Sequence, residues 1–306
     1  MSQSKKNPIL SHSEIFNRVR ELEISTRKRV ENELSGMYKS QFKGHGMQFS
    51  EFREYVPGDD VRHISWTVSA RSKNTVVKRF EEERELNLMI AFDVSASESF
   101  KSDGLSKREV LAECCSFIVF AAMKNGDKIG SLIFTDQVES ISPPKKSRSH
   151  ALKIIRDLFY LEPKGIKTQL KSAFFSTDNL LKHRSIVIIA SDFHCERDYM
   201  AELKRLSKKH EVIALIAVDE KERNFPRIGL IETKDPETGK TFIVDSNSQS
   251  FQNTWKTWQK KHEDRIKKSL SQIGVQTLFL SSNGNHLSEV ISFFKIRKMG
   301  SSRSSL

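Results

Sequence analysis

The stretch LNLMIAFDVSAS, residues 86–97, decides the fold. Its first part is a short apolar run without alternation, the pattern of a strand covered on both faces. It stops at Asp93, and Val94-Ser95-Ala96-Ser97 follows at once. Working outward, similar runs occur at KIGSLIF (128–134), SIVIIA (185–190), VIALIAV (212–218) and VQTLFL (275–280). Helix-like segments lie between or after them, at about 106–124, 147–161, 168–182, 196–209, 249–273 and 286–296. This alternation predicts an α/β fold with a doubly wound, mostly parallel sheet. IGLIET and TFIV around DPETGK (228–245) read as an inserted hairpin.

Upstream, apolar residues at Ile15, Val19, Leu22, Val30 and Leu34 predict a helix over 13–34, with Ser35-Gly36 as its stop. Residues 38–85 are punctuated by Gly44, Gly46, Pro57 and Gly58, and TVVKRFEEERE looks like a strand entering a charged stretch. The expected organisation is an N-terminal helix and segment over 1–85 packing on the sheet domain, the sheet domain over 86–296, and a flexible basic tail over 297–306.

Leu, Ile, Val and Phe make up 84 of the 306 residues, enough for a real core and against disorder as the main state. The longest nearly apolar stretch, Cys114 to Met123, falls far short of the ~20 residues of a membrane helix. The start, MSQSKKNPILSHSE, lacks the apolar region of a signal peptide. A cytoplasmic chain with no membrane insertion is expected. Three cysteines without metal-binding spacing read as buried thiols in a reducing compartment.

The net charge of +12 is unevenly spread. Residues 145–184 and 256–306 each hold 10 basic and 3 acidic side chains. These stretches suit a nucleic-acid partner, but no aromatics interleave with the basic residues in this reading, and solvated helix faces explain the charge as well.

In open parallel sheets, ligands bind beyond the carboxyl ends of the strands. The 86–92 run ends in Asp93, Ser95 and Ser97, and the 185–190 run ends in Ser191-Asp192. Thr168 stands at a helix start, after the loop Pro163 to Lys167. Asp93, Ser95, Ser97, Thr168 and Asp192 therefore form a candidate metal site. Oxygen-only ligation with few formal charges suits Mg²⁺ or Mn²⁺, with Ca²⁺ a weaker choice, and leaves the ion able to take a carboxylate from another molecule. Enzyme signatures are missing: no GxxxxGK[ST] loop, no GxSxG elbow, and Ser95 where an aspartyl phosphotransferase has a second Asp. His194 has no nucleophile placed beside it. A metal-dependent hydrolase and a nucleic-acid-associated protein remain the rival readings.

DVSAS (93–97), Thr168 and Asp192 together resemble the metal-ion-dependent adhesion site of von Willebrand factor A-type domains. FKGHGMQFSEFREYVPGDDVRHISWTVSAR (42–71) and VVKRFEEERE (76–85) resemble the signature of the domain-of-unknown-function-58 family. The resemblance runs over about 37–296. It implies a von Willebrand factor A-like, Rossmann-type fold and a metal-dependent protein-binding adaptor without known catalysis. It also implies a MoxR-type AAA+ ATPase as partner, and a partner Asp or Glu completing the ion's shell. Two positions depart from the family pattern. Ser65 replaces an Asp before Trp66, and Glu98 follows the DxSxS motif in place of an apolar residue. Arg53, Glu54, Asp59, Asp60, Arg62 and Arg71 read either as an ion-pair network with Trp66 as its buried anchor, the preferred reading, or as a docking surface.

Overall fold

The computed structural model describes residues 30–42, 46–72, 74–83, 86–99, 105–195, 197–234 and 241–301. Most of the expected 13–34 helix lies outside them. The chain divides into two compact units, Phe42–Leu86 and the remainder.

In the smaller unit, β1 (Gly46–Glu54) pairs antiparallel with β2 (Val76–Glu83), with a register shift between Phe49 and Glu51. Between them come a turn with Gly58 at φ 111°, a short 3-10 turn at Val61–His63 and a helix at Trp66–Ser72. Asp60 caps the 3-10 turn by accepting from the Arg62 backbone N–H. The Arg53 guanidinium grips Asp59 with two bonds of 2.8 and 2.6 Å, and Arg62 grips Asp60 at 2.6 Å. Both grips hold the aspartates below the usual carboxylate range. These pairs lie at the surface, where solvent screens them, and the Arg62 side chain is 85% exposed. Trp66 is 70% exposed and is not a buried anchor. It starts a helix of only seven residues, too short to bring a wide face onto a core.

The larger unit begins with a helical run through Val30–Leu34 and Ser35–Gln41. The expected stop at Ser35-Gly36 does not occur, because Leu34 and Tyr38, four residues apart, are both buried across it. Tertiary burial outweighs the modest cost of a helical glycine.

Its core is a six-stranded sheet in the order β10-β7-β6-β3-β4-β5. The parallel strands are β3 (Asn87–Asp93), β4 (Lys128–Phe134), β6 (Ile186–Ala190), β7 (Glu211–Val218) and β10 (Gln276–Ser281). They match the five apolar runs to within a residue or two. β5 (Val138–Lys145) is antiparallel to β4 and was not read from sequence. Its Ser142-Pro143-Pro144 breaks the apolar pattern, and a strand at the sheet edge tolerates prolines that lack a ladder donor. β8 (Leu230–Lys234) and β9 (Thr241–Asp245) form the expected hairpin.

The helix Lys107–Asn125 is buried almost all round from Val110 to Ala122, including Cys114 and Cys115, so it belongs to the interior. A capping box between Ser106 and Glu109 starts it, and Gly126 ends it at φ 79°. The last helix, His286–Ser301, buries Leu287, Val290, Ile291 and Phe294. It runs past residue 296 into the stretch expected to be a tail. No helix among the described residues is long and apolar enough to cross a membrane.

His286 locks the start of that last helix. Its Nδ1 meets Glu113 at 2.7 Å and its Nε2 meets the Ser281 carbonyl at 2.9 Å. Burial opposes the imidazolium, but the bonds to Glu113 and Ser281 raise its pKa above the ordinary value. The stabilisation is therefore full below about pH 6.5 and lost as pH rises through the raised folded-state value. Chemical unfolding across pH is expected to show the wild type's advantage over Glu113→Gln largest below pH ~6.5 and shrinking above it.

Candidate metal centre

The sheet order reverses at β3. The chain moves from β3 to β4 on one side, then returns to place β6 on the other. The carboxyl ends of β3 and β6 thus border the switch point, where an α/β sheet opens a crevice. Phe92 pairs with Ala190, so the polar residues that follow each strand emerge side by side.

Asp93 closes β3 and is fully buried. One carboxylate oxygen accepts the Ser95 N–H at 2.9 Å, and the other accepts the Ser191 hydroxyl at 2.7 Å. Burial and the charge of Asp192 push its pKa up to about 7, against the lowering effect of those bonds. The Ser95 and Ser97 hydroxyls lie 3.3 Å apart, and Thr168 Oγ1 donates to Ser95 Oγ at 2.8 Å. Thr168 sits just ahead of the Leu170–Leu180 helix rather than inside it. Its loop is tied down by Ala96 N–H to the Ile166 carbonyl (2.9 Å), Gln169 N–H to the Thr135 carbonyl (3.1 Å) and Gly165 N–H to Glu139 (2.7 Å). A Cβ on Gly165 would collide with the Thr135 and Asp136 side chains, so glycine is what lets the loop close.

Asp192 follows β6 by two residues. The next residue, Phe193, has φ 55°, a costly left-handed conformation for a bulky side chain. That turn aims the Phe193 N–H at Ser191 Oγ (3.1 Å) and the His194 N–H at Asp192 (3.0 Å). Asp192 also accepts from Lys107 Nζ at 3.1 Å. Burial disfavours its charge, yet Lys107 and His194 hold its pKa below the usual value.

The five residues read from sequence thus meet in one place: Asp93 and Asp192 on the buried side, Ser95 between, and Ser97 and Thr168 half-buried. Three more enter: Glu98, which the sequence placed beside the site without a role, and Lys107 and Glu222, which it did not place there. Glu98 is fully buried; one of its oxygens accepts the Asp192 backbone N–H at 2.7 Å and the other has no hydrogen-bond partner among the described residues. Oxygens of Asp93, Glu98 and Asp192 all lie within 4.8 Å of one another. Lys107 is buried and joins Asp192 to Glu222, which it meets at 2.9 Å. Burial works against its ammonium, but Asp192, Glu222 and Glu98 hold its pKa above the ordinary value. Glu98 had a signal in the sequence, since it occupies a position expected to be apolar and hence internal. Lys107 and Glu222 had none.

Beside Asp192 opens a cavity of about 150 Å³, lined by Lys107, His194, Glu222, Trp255, Trp258 and His262 among others. Trp255, Trp258 and His262 share one face of the helix Gln249–Gln272, with Trp258 and His262 stacked at 5.4 Å and 12°. His194 packs on His262 at 4.7 Å. The sequence reading found no stacking aromatics in this basic stretch. The structure corrects that, because residues three and four apart line up only once the helix forms.

An all-oxygen donor set, with three buried carboxylates against one buried ammonium, suits a hard divalent cation. The unpartnered Glu98 oxygen among the carboxylates fits the same reading.

The family described as "Protein of unknown function DUF58" matches residues 51–265. The chain belongs to the DUF58 family. An uncharacterized protein of Mycobacterium tuberculosis is 25% identical over 286 residues, covering 92% of this chain and 89% of that one. The uncharacterized protein YeaD of Bacillus subtilis is 29% identical over 114 residues, 37% of this chain and 26% of its own. Among solved structures, an aerotolerance-related membrane protein from Bacteroides fragilis aligns at 15% identity and TM-score 0.50, covering 70% of this chain and 99% of that one. Proximal thread matrix protein 1 of mussel byssus, solved with a zinc-occupied metal-ion-dependent adhesion motif, aligns at 16% identity and TM-score 0.40 over 70% and 47%. In this DUF58 chain the expected doubly wound, mostly parallel α/β sheet stands, with the acidic cluster at its switch point.

A cation bound with a dissociation constant of ~1 mM, at ~10 mM metal, adds about 1.4 kcal/mol. Thermal unfolding of the wild type in Mg²⁺ or Mn²⁺ is expected to exceed that in EDTA by roughly 2–5 °C. Asp93→Ala should abolish the difference. Equal shifts in both proteins would place the ion elsewhere.

Proposed function

We propose that this protein is a non-catalytic, cytoplasmic adaptor that binds a partner protein through a metal-completed carboxylate contact. Mg²⁺ is the ion we assign, with Mn²⁺ as substitute. Asp93, Ser95, Ser97, Thr168 and Asp192 hold it, directly or through water, and the ion supplies an electrophilic position for the partner's acid. The observation that carries this reading is the polarity of the site. Its carboxylates are buried, whereas the half-buried groups, Ser97 and Thr168, are neutral hydroxyls. An ion held in this way keeps uncompensated charge on the side that meets solvent, and an Asp or Glu of another protein neutralises it.

The ATPase partner implied by the family resemblance, a MoxR-type AAA+ protein, is assigned to residues 42–71. Exposure now favours docking over the structural role for this segment. Val61 and Trp66 are exposed beside Arg62, whose ion pair is local and solvated. Exposed aromatic, apolar and arginine side chains are the composition of binding hot spots.

Two binding measurements separate the contacts. With a MoxR-type ATPase as the test partner, Arg62→Glu and Trp66→Ala are each expected to lower affinity at least tenfold while leaving the unfolding temperature within a degree or two of wild type. Loss of stability with affinity unchanged would restore the structural role. For the acid-bearing partner, capture is expected in Mg²⁺, not in EDTA, and to be lost in Thr168→Ala. Capture that ignores EDTA but falls steeply with salt would point to the basic helices instead.

A further inference from the structure

Glu98 has no role in the contact described above, yet it is among the most enclosed charged groups of the larger unit. Its side chain is 0% exposed. One oxygen is spent on the Asp192 backbone N–H. The other meets no donor among the described residues, and the nearby Lys107 ammonium is already shared between Asp192 and Glu222. Buried oxygens are rarely left so, and each exception calls for a reason. Here the orphaned carboxylate shares a cluster no wider than 4.8 Å with those of Asp93 and Asp192. Three like charges in a dry interior are unfavourable, and the Lys107 ammonium beside Asp192 offsets only part of them, which leaves room for a cation.

We propose that Glu98 is a resident ligand of the ion, resting on the metal reading of the site. Its free oxygen takes a position on the buried side with Asp93 and Asp192, and the hydroxyls of Ser95, Ser97 and Thr168 serve the other side. Ligand charge count governs affinity in such sites. A third carboxylate from within the chain therefore lets the ion bind before any partner arrives. The partner's acid is not required to load the site, and the third carboxylate weakens the pull of the ion on that acid. The extra charge also extends the range of acceptable ions toward Mn²⁺ and Ca²⁺.

The test is a Mn²⁺ titration of the full-length protein alone, read by the electron paramagnetic resonance signal of the free ion, with unfolding in EDTA as control. Glu98→Gln keeps the size of the side chain and an acceptor for the Asp192 N–H, and removes only the charge. It is expected to weaken Mn²⁺ at least tenfold, since even groups behind the ligands contribute on that scale. Its unfolding temperature in EDTA should be unchanged or higher, because a buried repulsion is gone. Glu98→Asp, which keeps the charge but shortens the reach, is a second variant expected to bind more weakly than wild type.

Wild-type affinity in Glu98→Gln, with binding lost in Asp93→Ala, overturns the role of Glu98 and leaves the site standing. Full binding in Asp93→Ala, or none in the wild type, overturns both readings. Reduced Mn²⁺ affinity together with a lowered unfolding temperature in EDTA makes Glu98 a clamp for the Asp192 loop and overturns its role as ligand.

Discussion

The buried carboxylate cluster at the end of β3 and β6 is the constraint on which the rest of this site depends. Asp93, Glu98 and Asp192 repel one another in an interior that water does not reach. Such an arrangement persists only because each charge is held by fixed donors: Ser95 and Ser191 for Asp93, Lys107 and the His194 N–H for Asp192, and the Asp192 N–H for Glu98. Those donors come from the turns that follow β3 and β6 and from the helix Lys107–Asn125. The position of the cluster is thus a property of the sheet order, not of any single loop.

Around this centre the fold separates two environments. On the inner side, Lys107 and Glu222 carry the charge network toward the cavity walled by Trp255, Trp258 and His262. On the outer side, the loop carrying Thr168 is pinned through Gly165 and Ile166, so that its hydroxyl meets Ser95. The strained turn at Phe193 belongs to the same design. Its left-handed backbone points two successive amides back into the site, and its buried ring, edge-on to Tyr199 at 5.9 Å, anchors the turn. Backbone strain at such a place is tolerated because the surrounding packing over-determines it.

Much of the fold was legible because five apolar runs of strand length, separated by helix-length segments, admit few arrangements once both faces must be covered. What escaped had a local reason in each case. β5 hid behind Pro143 and Pro144, which an edge strand accommodates. The helix runs through Gly36 because its local stop signal lost to the burial of Leu34 and Tyr38. Trp66 was expected as the buried anchor of an ion-pair network, but its 70% exposure shows that a short helix can turn an aromatic outward. Of the site, DxSxS, Thr168 and Asp192 were readable by their place after strands and before a helix. Lys107 and Glu222 were not, since 115 residues separate them in the chain and neither sits in a pattern.

By itself, the sequence determined the five parallel strands, the helices between them and the residues that follow β3 and β6, because hydrophobic periodicity and turn chemistry are local properties. The tertiary structure alone decided that Glu98 turns inward, that Lys107 compensates Asp192, and that an aromatic face of the Gln249–Gln272 helix borders the site. Each of these rests on which groups are denied water and which lie within a few ångströms across the sheet. Those relations exist only after strands distant in the chain have been laid side by side.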